Sequence, residues 1–364
     1  MFLFNMEEWK EYKLGELITI KYGKDHKKLL DGEIPVYGSG GIMRYVERPI
    51  YDGPSILIPR KGTLNNIMYS DKPFWTVDTM FWTTINTVLV NPLFLYYNIC
   101  KKDFASLNVG SAVPSLTVPV IEDIRVFIPS LPIQQKIANI LSSLDDKIEV
   151  NRRINEQLEE LAGALFKSWF VDFEPFKDGE FVDSELGMIP KGWKVGTLGE
   201  LIEIKYGKDH KKLSDGNIPV FGSGGIMRYV DKSLYEGESV LIPRKGTLNN
   251  VMYVNRDFWT VDTMFFTKMK VKDIAIFVYL FLSKKDLASM NSGSAVPSMT
   301  VEILNRIPLV IPSNNVFEDF NRIVSSLFSQ MDNNIKEIHH LTTLRDTLLP
   351  KLMSGEIDVN EVEI

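Results

Sequence analysis

Lys21-Tyr-Gly-Lys-Asp-His-Lys-Lys-Leu29 recurs without a change as Lys205-Tyr-Gly-Lys-Asp-His-Lys-Lys-Leu213. Working outward, Arg60-Lys-Gly-Thr-Leu-Asn-Asn66 returns as Arg244 to Asn250, and Phe74-Trp-Thr-Val-Asp-Thr-Met-Phe81 as Phe258 to Phe265. About 46 of the 61 positions from 21 to 81 match their counterparts 184 residues on, far more than a shared turn signal would give. After one deletion the offset is 183, so Gly110-Ser-Ala-Val-Pro-Ser115 matches Gly293 to Ser298. Two copies point to pseudo-dyad symmetry, because a solenoid generally needs three or more units. Near-identical surfaces should bind near-identical targets.

Each copy begins with Leu-Gly-Glu-Leu (Leu14 to Leu17, Leu198 to Leu201) and alternating, strand-like residues. Short β-rich runs follow at Ile34–Tyr37, Ser55–Ile58 and Ile67–Tyr69, separated by glycine turns at Gly38-Ser-Gly-Gly41, Gly53 and Gly62. A helix is expected around Leu93 to Asn98, and around Ile274 to Leu282 in the second copy. Phe74, Trp75 and Phe81 read as core.

Gln134 to about Asp172 holds no proline and only Gly163, with apolar residues at helical spacing. Taking Ile137 as heptad position a gives Ile137, Leu144, Asn151, Leu158 and Leu165; the second copy gives Phe320, Leu327, Asn334, Leu341 and Leu348. Each helix is about 38 residues, or roughly 57 Å. Asn151 and Asn334 share one a position near the helix midpoints. If the helices pack antiparallel, the two asparagines are expected to meet and fix the register; the alternative is that both face solvent at an irregular seam. The segments expected are a first module over 1–133, a helix over 134–173, a polar linker over 174–192, a second module over 193–315, a helix over 316–354 and a tail over 355–364. The fold class is α+β: two pseudo-symmetric α/β modules, each followed by a long helix, the helices pairing as an antiparallel coiled coil.

The totals narrow the function. The 364 residues, 45% hydrophobic and 24% charged, are those of a globular chain of more than one domain. The longest apolar run, Ile274 to Leu282, is about half of what a bilayer requires, so no membrane association is expected. Met1 to Met6 lacks the basic start of a signal peptide, and Cys100 is the single cysteine, both in keeping with a cytoplasmic protein. A net charge of −6 argues against coating nucleic acid by bulk electrostatics but leaves room for a local basic surface.

No Gly-x-x-x-x-Gly-Lys-[Ser/Thr] loop is present, which speaks against an ATP motor in this chain. Asn91-Pro92-Leu93-Phe94 only superficially matches the Asn-Pro-Pro-aromatic motif of adenine methyltransferases, lacking the second proline and a twin in the second copy. His26, His210, His339 and His340 have no metal-ligand spacing. No catalytic residue and no metal site is therefore assigned. What recurs is a set of basic and polar residues of the types suited to nucleic acid. Lys21, Lys24, His26, Lys27 and Lys28, with Lys205, Lys208, His210, Lys211 and Lys212, form basic clusters suited to phosphates. Such a run also reads as a solvated charged turn, and its verbatim recurrence favours the contact. Arg60, Lys61, Thr63, Asn65 and Asn66, with Arg244, Lys245, Thr247, Asn249 and Asn250, carry residue types that suit base edges. They fit a hairpin turn as well. Arg44 and Arg228 follow the glycine turns and complete the set.

The sequence resembles the specificity subunits of type I restriction–modification systems over essentially its whole length. The marks are the paired module-plus-helix units, the helix entry Ile128-Pro-Ser-Leu-Pro-Ile-Gln-Gln-Lys-Ile-Ala138, and the run Leu144 to Leu158. Ala164-Leu-Phe-Lys-Ser-Trp-Phe-Val-Asp-Phe173 closes the first helix, Leu186-Gly-Met-Ile-Pro-Lys-Gly-Trp193 opens the second module, and Leu344 to Glu356 ends the chain in the family's manner. The resemblance implies two target-recognition domains held apart by an antiparallel helix pair. It also implies assembly on double-stranded DNA with two methyltransferase subunits, which use S-adenosylmethionine on adenine, and with restriction subunits that use ATP and Mg2+. The chain itself would carry no cofactor. Trp169 and Phe170 are expected on an exposed helix face where partner subunits dock. The departure from the family is the likeness of the two modules, which implies one half-site read twice in inverted orientation.

Overall fold

The computed structural model describes residues 9–291 and 297–359. The chain divides into two compact units, one of residues 1–151 and 336–364, the other of residues 152–335. Each unit therefore holds one module and half of each long helix.

The first unit begins with β1 (Lys10–Lys13), a one-turn helix α1 (Leu14–Leu17) and β2 (Ile18–Tyr22). The hairpin β3 (Ile34–Gly38) and β4 (Gly41–Val46) follows, then β5 (Ser55–Pro59), β6 (Met68–Ser70), β7 (Trp75–Thr76) and β8 (Met80–Ile85). Helices α2 (Pro92–Ile99) and α3 (Val118–Glu122) and strand β9 (Arg125–Ile128) lead into α4 (Leu131–Phe170). A four-stranded sheet runs β2-β8-β5-β6 and a three-stranded one β4-β3-β7, with β3 parallel to β7 and β1 closing on β9. Where β5 leaves its ladder with β8, hydroxyls take over: Ile56 N donates to Thr83 Oγ1 and Thr83 N to Ser55 Oγ, both at 2.9 Å, so the buried amides stay satisfied.

Leu14-Gly-Glu-Leu17, which opens the first copy, forms a helical turn, and the strand β2 follows it. Glu16 accepts from Lys13 N at 2.6 Å, and a Cβ on Gly15 would stand 2.9 Å from Glu122 Cβ, so the glycine lets α1 lie directly on α3. Asn91-Pro92 is a helix start: the Asn91 side chain caps α2 by accepting from Phe94 N at 2.9 Å, with Pro92 in the first turn. One core joins α1, β5, α2 and the start of α4 through Leu14, Ile58, Phe94, Ile137 and Leu141, and Leu349 and Leu352 of the second long helix enter it.

The second unit repeats the plan. After β10 (Phe181–Val182) and β11 (Ile189–Pro190), a small hairpin, come β12 (Lys194–Thr197), α5 (Leu198–Leu201) and β13 (Ile202–Tyr206). Next are β14 (Asp215–Gly222), β15 (Gly225–Val230), β16 (Glu238–Pro243), β17 (Met252–Asn255), β18 (Trp259–Thr260) and β19 (Met264–Met269). Helices α6 (Ala275–Ser283) and α7 (Val301–Asn305) and strand β20 (Pro308–Ile311) precede α8 (Asn314–Met353). The sheets run β13-β19-β16-β17 and β15-β14-β18, the order of the first unit.

α4 and α8 are 40 residues each. Within the first unit Arg345 Nη1 meets Asp145 at 2.5 Å and Asn151 Nδ2 donates to Glu337 at 2.8 Å. Within the second, Asn334 Nδ2 donates to Asn155 Oδ1 at 2.8 Å and the Phe166 and Phe320 rings lie 6.4 Å apart. In both units α4 numbers rise as α8 numbers fall, which is antiparallel packing. Asn151 and Asn334 are buried, at 1% and 4% exposure, with Glu337 and Asn155 as hydrogen-bond partners in place of the mutual pairing expected from their shared heptad position.

Phe170 requires a correction. Expected on an exposed docking face, it is 8% exposed and packs on Phe277 and Phe320, each at 4.8 Å between ring centroids. Trp169 is half-buried against Phe176 and Phe320. Helix α6 is apolar nearly all round, and these rings fill the space between it and α8. No helix among the described residues is long and apolar enough to cross a membrane.

Candidate nucleic-acid interface

The recurring segments converge on one end of each module. In the first, β2 ends at Tyr22 and the chain turns over Thr76 and Val77: Gly23 N donates to Met80 O at 3.0 Å and Lys24 N to Thr76 O at 2.9 Å. A Cβ on Gly23 would lie 2.0 Å from Val77 O, so only glycine permits this crossing. Trp75 Nε1 reaches Lys24 O at 2.9 Å and fastens the loop from below. Asp25 closes a turn by accepting from Lys27 N at 3.0 Å, a bond that holds its carboxyl below the usual range. Leu29 is buried, and Lys24, Lys27 and Lys28 are left exposed. Buried anchors with protruding lysines suit phosphate contact, since exposed ammonium groups exchange readily with counterions.

Arg60 is built into the same surface. Its Nε donates to Asp78 O at 2.9 Å and its guanidinium lies 5.9 Å from the centre of the Tyr22 ring; Arg244 sits 5.5 Å from that of Tyr206. Gly62 takes φ +91°, and Lys61 and Thr63 are exposed beside it. Ser115 bridges Lys61, and Leu116 N donates to Arg60 O at 2.9 Å, which brings the Gly110–Ser115 loop alongside. The matching Gly293 to Val296 lie outside the described residues.

Several of the expected contact residues are committed within the fold. Asn65 Oδ1 accepts from Ala105 N at 2.8 Å while its Nδ2 donates to Asp103 at 3.2 Å, and Asn249 repeats this with Ala288 and Asp286. Asn66 and Asn250 donate to Ser39 O and Ser223 O, each at 2.8 Å, tying the loop to the neighbouring hairpin. Arg44 pairs with Asp31, and Arg228 with Asp215, each at 2.7 Å; both also reach the carbonyl of Leu29 or Leu213 at 3.1 Å. Lys205 pairs with Glu203 at 2.6 Å, an acid standing where the first copy has Thr19, so the two basic clusters differ there.

Other features escape a sequence reading. In the second unit a concavity of about 600 Å³ is walled by His210, Lys211, Ser223, Met227, Asp262 and Thr263, joining the basic loop to the hairpin. Among the described residues, the Nδ1 atoms of His26 and His210 and the hydroxyls of Thr76 and Thr260 are buried without a hydrogen-bond partner in both copies. Ile42, Met43 and Tyr45 stand exposed on β4. The recurrence of Gly-Ile-Met-Arg-Tyr-Val in both copies was the available signal for them.

The sequence matches the type I restriction modification DNA specificity domain twice, over residues 6–160 and 190–344. It is 28% identical over 348 residues to the type I restriction enzyme MjaIX specificity subunit of Methanocaldococcus jannaschii, covering 86% of this chain and 80% of that one. The HindI specificity subunit of Haemophilus influenzae is 26% identical, with 97% and 100% covered. The crystal structure of a type I restriction–modification S subunit from M. genitalium superimposes with a TM-score of 0.66 over 97% of this chain and 98% of that one, a likeness of fold at 21% identity. Matched twice along most of its length, the chain belongs to the type I restriction–modification DNA specificity family.

Proposed function

We propose that the chain directs a type I restriction–modification enzyme to a bipartite, near-palindromic DNA target. Each module reads one short half-site, mainly in the major groove, and the long helices set the unread spacer. Two methyltransferase subunits would methylate one adenine per half on opposite strands, and restriction subunits would carry the ATP-dependent cleavage. S-adenosylmethionine, ATP and Mg2+ then belong to those partners. The observation that carries the reading is the identity of the loops gathered at each module's end: Lys21–Leu29, Gly38–Val46 and Arg60–Asn66 each recur unchanged. Two such modules, if related by a pseudo-two-fold axis, would map onto inverted half-sites.

The test pairs Arg60→Ala with Arg244→Ala in the complex with methyltransferase subunits. Targets are used in which one or the other half-site is scrambled. Each variant should lose affinity through one half-site only. Equal loss on every sequence would assign both arginines to phosphate holding, and no salt-dependent DNA binding by the unmodified complex would overturn the reading.

A further inference from the structure

We propose that β4 and its twin β15 are the base-reading edges of the two modules, with Met43 and Met227 seating the 5-methyl group of a thymine; this rests on the functional reading above. β4 and β15 are edge strands of their three-stranded sheets. Met43 is 61% and Met227 60% exposed, and Ile42, Tyr45, Ile226 and Tyr229 are exposed with them. An apolar row on a free strand edge invites aggregation and calls for an occupant. Gly41–Val46 nonetheless recurs without a change, while the next four residues, Glu47-Arg-Pro-Ile50, are all replaced in Asp231-Lys-Ser-Leu234. Between the two copies, variation starts where the exposed apolar row stops.

The strand offers one chemistry. Arg44 and Arg228 lie on it, but their guanidinium groups are held by Asp31 and Asp215. That leaves thioether, aliphatic and phenol groups to meet a base edge. The thioether is placed: a Cβ on Gly38 would fall 2.5 Å from Met43 Sδ, and on Gly222 2.5 Å from Met227 Sδ, so each methionine folds back over its turn glycine. In the second unit this puts Met227 on the wall of the concavity shared with His210, Lys211 and Thr263. A polarisable, adaptable apolar group beside lysines suited to phosphates matches the thymine methyl, the one apolar group on the major-groove edge of the base pairs. A two-stranded ribbon such as β3–β4 fits that groove.

The test uses the complex with methyltransferase subunits and its own methylated target, each thymine replaced singly by deoxyuridine, which removes only the methyl. At least one position per half-site should weaken binding about fourfold, the factor for one buried methyl-sized group. That penalty should vanish in one half with Met43→Ala and in the other with Met227→Ala, and persist with Met43→Leu. A half-site whose only A·T pair is that of the methylated adenine, no penalty at any thymine, a penalty unchanged by Met→Ala, or loss of subunit assembly in the variants would each overturn the proposal. Absence of any sequence preference in the unmodified complex would overturn the functional reading instead.

Discussion

Asn65 and Lys24 both belong to recurring segments, and their surroundings differ: Asn65 is tied into the fold and Lys24 is exposed. The Asn65 amide joins Asp103 to Ala105 N, so Asn65→Ala should cost about 1 kcal/mol of stability by removing these hydrogen bonds, read as a lower denaturant midpoint. Lys24→Ala should leave the midpoint alone and reduce the salt dependence of DNA binding by about one ion. In the second copy the Asn249 amide is the foremost cause holding the Asp286 carboxyl below its usual range. The charged form is the one favoured, so the anchor is intact at neutral pH and is lost as pH falls through the depressed value. Hydrogen exchange of the Ala288 amide, corrected for its intrinsic pH dependence, should show protection falling there and not before. That the lysines of this loop stand exposed was legible, because charge and recurrence are local properties. Whether an asparagine faces DNA or holds a loop depends on residues such as Asp103, 38 positions away, and no local pattern encodes that.

The long helices were the most legible elements, since heptad spacing survives whatever they pack against. Their polar centre was less so. A heptad position places a residue at the seam without naming its partner, and a shift of three or four residues sends Asn151 to Glu337 and Asn334 to Asn155. A double-mutant cycle on Asn155 and Asn334 should give a coupling of about 0.5–1.5 kcal/mol, and zero coupling would remove the contact from the account. Helix α2 supplies an independent probe. Cys100, the single cysteine, follows its last turn, and burial pushes the thiol up to about 11. At pH 8 the thiol is protonated, so iodoacetamide should modify the native chain far more slowly than the unfolded one, as followed by mass spectrometry. Equal rates would mean that this corner of the first unit is open. The helical turn at Leu14–Leu17 was not legible, because four residues carry no period and Gly15 answers to Glu122 across the module.

At the scale of the molecule, duplication made the two-module plan readable, while the packing units cut across it. The first unit takes its N-terminal module, the first half of α4 and the last half of α8, and Gly355 of the tail comes to rest against Trp9. In the second unit Trp193 is covered by Phe170, Phe173 and Phe176 from the end of α4 and the segment that follows it. Sequence order hides this, since a helix is local and the partner that covers it is not. What the duplication does determine is the chemistry at the module ends. The departures beside them include Thr19 against Glu203, Leu30 against Ser214, Glu33 against Asn217 and the four residues after β4. Near-identical modules call for a target with near-identical halves. Sequencing every methylated adenine in a host carrying the complete system tests it most directly. The predicted result is one bipartite motif whose two halves are inverted copies differing at no more than a position or so; two unrelated half-sites would contradict it.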